Sequence, residues 1–228
     1  MEFNKEYYKS NKQDKDRIGL LFYKNLIKHY FKPSTILDYG CGTGHLLKRL
    51  SQIKKIQTKY GYEINEYAIN AAKKNSNSTI ISDLNIIKDR SLDIIISLHV
   101  IEHLNDSQLE EVFKSFKRIL KKNGTIIFST PAKNGLAHEI KKNNWIGLSD
   151  KTHINLKSFE GWASFFQSKN LQVLKSSNDG LWDFPYNTKN KKLAIIKIIL
   201  KMIFQIFTGK LYLKHNQGET FIFFLKIK

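Results

Sequence analysis

Three polar side chains, His99, Glu102 and His103, follow an apolar run in LDIIISLHVIEHL, and His153 lies further on, beside Asp150, in SDKTHINLK. Imidazole changes charge near neutral pH, so this set can take up a proton from a reacting hydroxyl. The same donors, His99, Glu102, His103 and His153, could instead surround a divalent cation. With imidazoles in the majority, such a site would favour zinc, iron or manganese over magnesium. His153 is the first candidate for a general base, with His99 and His103 beside it.

A second group lies upstream. In ILDYGCGTGHLLKRL an apolar run leads into Asp38, Gly40, Gly42 and Gly44, the pattern D-x-G-x-G-x-G, and then into a helical pattern. Glycines there permit tight turns and let a small ligand approach main-chain amides at a helix start. Glu63 ends the next strand-like run 25 residues after Asp38, where a carboxylate can accept hydrogen bonds from ribose hydroxyls. A dinucleotide fingerprint would read G-x-G-x-x-G and face a pyrophosphate. Here Asp38 would repel pyrophosphate and suit an ammonium group.

These residues need elements to position them. Short β-rich runs at TILD, KYGYEI, TIIS, LDIIISL and GTIIFST alternate with helical patterns at HLLKRLSQI, NEYAINAAKKN and DSQLEEVFKSFKRILKK, the last starting at Asn105 or Asp106. Apolar residues at helical spacing from 17 to 31, ended by Pro33, predict a helix before the sheet. Such alternation predicts an α/β fold with a parallel sheet covered by helices, its ligands gathered at the carboxyl ends of the strands.

With DYGCGTG, YEIN, SDLN, LHVIEHLND and LKKNGTIIFSTP in this order, the chain resembles the class I S-adenosylmethionine-dependent methyltransferases over roughly residues 30 to 175. The resemblance implies a Rossmann-like, seven-stranded, mostly parallel sheet flanked by helices, with LQVLKSS as sixth strand and ETFIFFLKIK as an antiparallel last strand beside the fifth. It implies that Asp38, Gly40 and Gly42 line the methionine part of the cofactor and that Glu63 holds the ribose. Asp83 would receive the adenine amino group, Ile64 and Leu84 would sandwich the ring, and Ser97 to His99 would pass beneath the sulfonium. The segment around Asp150 and His153 resembles that of small-molecule and glycan methyltransferases. His99, Glu102 and His103, followed later by His153, also resemble the E-x-x-E-H metal site of small-RNA 2′-O-methyltransferases, with His99 in place of the first glutamate.

At 228 residues the chain reads as a single methyltransferase domain, with a helical segment at 1–31 and a helical insertion at 181–217. The formal charge of +18 is carried mostly by lysine. It names nucleic acid, anionic lipid or acidic glycan as a partner class without choosing among them. Cys41 is the only cysteine, which excludes a disulfide framework and a cysteine zinc site. The first residues lack a signal-peptide core, and the expected location is cytoplasmic. Within the insertion, residues 193–207 predict a basic amphipathic helix with Lys197, Lys201 and Gln205 on one polar strip. Three roles are open to it: peripheral contact with the inner membrane surface, helped by Lys189, Lys191 and Lys192; a lid; or a homodimer contact. Three function classes follow: O-methylation of a small molecule or glycan, with a lipid-linked acceptor included; metal-assisted RNA 2′-O-methylation; and noncatalytic cofactor binding. The first leads, because the lysine excess lacks the arginine and aromatic interleaving expected of strong RNA recognition.

Overall fold

The computed structural model describes residues 5–11, 13–186 and 191–228. In chain order its elements are α1 (Lys5–Ser10), α2 (Gly19–Tyr30), β1 (Thr35–Tyr39), α3 (His45–Leu50), β2 (Thr58–Tyr62), α4 (Glu66–Asn75), β3 (Thr79–Ile81), β4 (Leu92–Leu98), α5 (Asp106–Ile119), β5 (Leu120–Pro131), α6 (Leu136–Lys141), α7 (Ile146–Ser149), α8 (Phe159–Ser168), β6 (Leu171–Asn178), α9 (Lys192–Thr208) and β7 (Thr220–Ile227). The strands form one sheet in the order β3-β2-β1-β4-β5-β7-β6. β1 to β5 pair in parallel, and β7 runs antiparallel to both β5 and β6, as the sequence leads one to expect.

Period-two alternation divides the apolar residues between the two faces of the sheet. Ile36, Ile94, Ile96, Ile127, Ile222 and Phe224 turn to one side, where α2, α3 and α9 bring Phe22, Leu26, Leu46 and Ile198. Leu37, Ile95, Phe128, Phe221 and Phe223 turn to the other, against Phe113 and Phe116 of α5 and Trp162 and Phe166 of α8. A strand buried on both faces reads as an uninterrupted apolar run, which is why LDIIISL is legible. α5 begins at an Asn105 cap whose Oδ1 accepts from Gln108 N, while the Gln108 side chain accepts from Asn105 N.

The chain crosses from β3 at one edge back to β4 beside β1, so the switch in strand order falls between β1 and β4. A crevice opens at such a point outside the strands' carboxyl ends. Asp38 pairs in register with Ile96, which puts the glycine loop and His99 at adjacent strand ends.

α9 differs from expectation in one respect. Gln205 is fully buried: its Nε2 donates to Asn178 O (3.0 Å) and its Oε1 accepts from Tyr212 N (2.7 Å) and Leu213 N (2.9 Å). It belongs to the face packed on the core with Ile198, Met202 and Ile206, and satisfies backbone groups that burial would otherwise strand. Lys189 lies outside the described residues.

Candidate active site

Between β1 and α3 the chain turns through left-handed backbone at Gly40 (φ 76°), Gly42 (φ 51°) and Gly44 (φ 81°). A Cβ on Gly40 would stand 2.3 Å from Val100 Cγ2, and one on Gly44 would stand 2.8 Å from Ala72 Cα. The loop is therefore wedged between α4 and the turn that follows His99.

Glu63, buried just past β2, closes the loop from the other side. Its Oε2 accepts from Gly42 N (3.0 Å), and its Oε1 accepts from Ile64 N (2.9 Å) and Asn65 N (3.0 Å). Oε1 is saturated by two donors, while Oε2 retains a lone pair. Asp38 is 3% exposed, and burial, followed by the nearby Glu63 charge, pushes its pKa up to about 8. Ile64 is 71% exposed, an uncovered apolar side chain directly beside the acid. Asp83 is exposed and uses Oδ1 to accept from Asn85 N (2.8 Å), leaving Oδ2 open, and Leu84 is half-buried against the core. The Ser97 hydroxyl is buried without a partner.

This set fits S-adenosylmethionine: a buried carboxylate for an ammonium, an acid with a free lone pair for a ribose hydroxyl, and a bare aliphatic surface for an adenine face. The amino-terminal segment covers it. Tyr8 is buried over Gly42, Thr43 Oγ1 donates to Gln13 O (2.6 Å), and His45 Nε2 lies 3.1 Å from Asp14 O.

His99 follows β4 with φ 56°, a backbone region that non-glycine residues seldom occupy. That turn brings its Nδ1 to 3.2 Å from Oε1 of the fully buried Glu102, while the imidazole stays 36% exposed in the cleft. Desolvation opposes protonation of His99, but the Glu102 hydrogen bond and charge, with Asp179 behind them, outweigh it and raise its pKa. Burial likewise acts to raise Glu102, yet the His99 bond and the surrounding histidines hold its carboxyl below the usual range. Glu102 Oε2 has no hydrogen-bond partner.

His103 and His153 also lie close to Glu102. His103 Nδ1 is 3.0 Å from Thr152 O and His153 Nδ1 is 2.8 Å from Gly147 O. A carbonyl only accepts, so each Nδ1 carries a proton. Burial lowers the His103 pKa, with the His153 charge adding to it and Glu102 opposing. Donor atoms of Glu102, His103 and His153 lie within 4.8 Å of one another, so these three could hold a divalent cation, each imidazole already oriented by a carbonyl. His99 stands outside this grouping, with its Nδ1 on Glu102 Oε1.

Two further residues, both buried, form a pair near His99 without a signal in the sequence. Tyr23, on α2, donates from its hydroxyl to Asp179 Oδ2 (2.9 Å), and Asp179, past the end of β6, has a partnerless Oδ1. Burial raises the pKa of both. In the sequence Tyr23 belongs to an apolar helical stripe and Asp179 to a turn-like Asp-Gly pair. Neither spacing links residues 156 apart.

A family model of the methyltransferase domain matches residues 12–176. An uncharacterised methyltransferase of Anoxybacillus flavithermus is 30% identical over 103 residues, 43% of this chain; the chain spans about half, 48%, of that relative's length. The malonyl-[acyl-carrier protein] O-methyltransferase of Marinomonas is 26% identical over 161 residues, 66% of this chain and 58% of that protein. Among solved structures, a SAM-dependent methyltransferase from Archaeoglobus fulgidus aligns with a TM-score of 0.62 at 18% identity, over 96% of this chain and 99% of that one. The glycine loop, the acid after β2 and the sheet order thus carry the same identity as the family match: the chain belongs to the class I S-adenosylmethionine-dependent methyltransferases.

Proposed function

We propose that the chain methylates a hydroxyl oxygen of a small molecule or glycan, with His99 as the base and Glu102 as the residue that positions it. One observation carries this reading: a buried carboxylate holds Nδ1 of an imidazole whose remaining edge faces the cleft at a strained strand end. When bound, S-adenosylmethionine supplies a methyl group on a positively charged sulfur, already activated for displacement. A hydroxyl acceptor must lose its proton as its oxygen takes that methyl, and His99 Nε2 receives it. A neutral amine has its lone pair available and needs no such base, so the dyad favours oxygen. The Marinomonas relative is named as an O-methyltransferase of malonyl-[acyl-carrier protein], which supports an oxygen acceptor and goes no further.

His153 leads from the sequence, but its ring is only 9% exposed and both of its nitrogens face protein groups, Gly147 O and Asp150 Oδ2. Geometry therefore ranks His99 above it for contact with an acceptor. The Glu102, His103 and His153 grouping favours a second reading, in which a divalent cation assists. Chelation separates the two: turnover resistant to chelator supports the histidine base, whereas loss restored by a single divalent ion supports the cation.

Asp38 gives the reading a pH signature. With a pKa of about 8 it is protonated at neutral pH and must release that proton to hold an ammonium. Affinity for S-adenosylhomocysteine should rise with pH and level off above about 8, being about tenfold tighter at pH 7 than at pH 6. Calorimetry in buffers of different ionisation enthalpy should register one proton released, and Asp38→Asn should flatten the dependence. Affinity independent of pH in the wild type would remove Asp38 from the ammonium site.

The acceptor class is tested with trideuteromethyl-labelled S-adenosylmethionine incubated with separate pools of small molecules, glycans and RNA. The proposal requires an oxygen-linked label in one of the first two pools. Label confined to RNA ribose, or borne by nitrogen, would refute it.

A further inference from the structure

The outer face of α9 carries Leu193, Ile196, Leu200, Ile203, Phe204 and Phe207, each between 42% and 76% exposed. Their spacing of three and four residues puts them on one stripe along the helix. The opposite face is accounted for: Ile195, Ile198, Met202 and Ile206 pack into the core shared with α2. The stripe therefore points away from the body and is not a lid over the cleft.

Charge says what covers it. From Phe184 to Gly218 the sequence contains seven lysines and neither aspartate nor glutamate. Lys192, Lys197, Lys201 and Lys210 are all exposed around the stripe, and no described acid pairs with them. Lys197 and Lys201, one turn apart, line a surface groove with Ala194, Leu200 and Gln217. A second copy of this chain, itself at +18, would set the same lysines against one another. An anionic lipid surface answers both features, since the stripe enters the acyl boundary while lysine stems extend to the phosphates. Among the described residues no helix is long and apolar enough to cross a membrane, so such a surface would be met by α9 lying along it.

We propose that α9 docks the protein on an anionic membrane surface through this face. The docked helix is joined to the cleft, because Gln205 on its inner side bonds Asn178 O, next to Asp179, and Met202 packs against Gly180. The inference is independent of the identity of the methyl acceptor.

Vesicle flotation tests it. The wild-type protein should float with vesicles of mixed phosphatidylcholine and phosphatidylglycerol and remain behind with phosphatidylcholine alone. Lys197→Glu with Lys201→Glu should weaken binding to the mixed vesicles at least about tenfold. Leu200→Ser with Phe204→Ser should abolish it, with affinity for S-adenosylhomocysteine unchanged in both variants. All four positions are exposed, so folding should be preserved. Absence of flotation with the mixed vesicles at low salt would overturn the proposal, as would a stable dimer by light scattering that the Leu200→Ser, Phe204→Ser variant dissociates.

Discussion

Replacing His99 with asparagine is expected to lower turnover by about 10² to 10⁴ while leaving affinity for S-adenosylhomocysteine within a few-fold. Asparagine tolerates the left-handed backbone at this position better than most residues, so the strand end should keep its shape. Glu102→Gln should also slow turnover, by a different route. Glu102 raises the His99 pKa, and a base must be neutral to act, so activity falls as pH drops through that raised value. Removing the negative charge should therefore move the acid limb of the pH–rate profile to lower pH. A merely structural role for Glu102 would lower activity without moving that limb. Normal turnover in His99→Asn would eliminate His99 as the base and return His153 to first place.

The second large effect concerns Glu63. Its carboxylate already gathers Gly42 N, Ile64 N and Asn65 N, and Oε2 keeps one lone pair, which the proposed ribose contact would use. Hydrogen bonds to a charged group contribute about 1.5 to 3 kcal/mol each. Glu63→Ala removes the ligand's acceptor and also releases the amide that fixes Gly42, so cofactor affinity should fall by about 3 kcal/mol, a hundredfold or more. Asp83→Ala is the internal comparison. Asp83 is exposed and its Oδ1 is engaged in a turn, so its loss should weaken binding less. Calorimetry showing equal, small losses for the two variants would mean that Glu63 only braces the loop.

The sheet was legible because its central strands are buried on both faces, so LDIIISL and GTIIFST stand out as apolar runs between polar helices. The start of β5 was not: it reaches back to Leu120 directly from the end of α5, through Lys121, Lys122 and Asn123, residues that read as a helix end followed by a turn. Asp38, Gly40, Gly42 and Glu63 could be read locally, since each sits at the end of a strand or in the turn after it. Tyr8, Tyr23 and Asp179 could not, because only the closed sheet and its covering helices bring Tyr8 to Gly42 and Tyr23 to Asp179. Gln205 shows the same limit from another side. Helical spacing groups it with Lys197 and Lys201, but the returning chain at Tyr212 and Leu213 encloses it and uses its amide as a backbone partner.

A crystal structure with bound S-adenosylhomocysteine tests the central claim most directly. The account predicts the ribose on Glu63, the amino group on Asp38 and the sulfur over Ser97 to His99, with the His99 ring on the side from which an acceptor would approach. A nucleoside seated away from the glycine loop, or a sulfur turned away from His99, would contradict it.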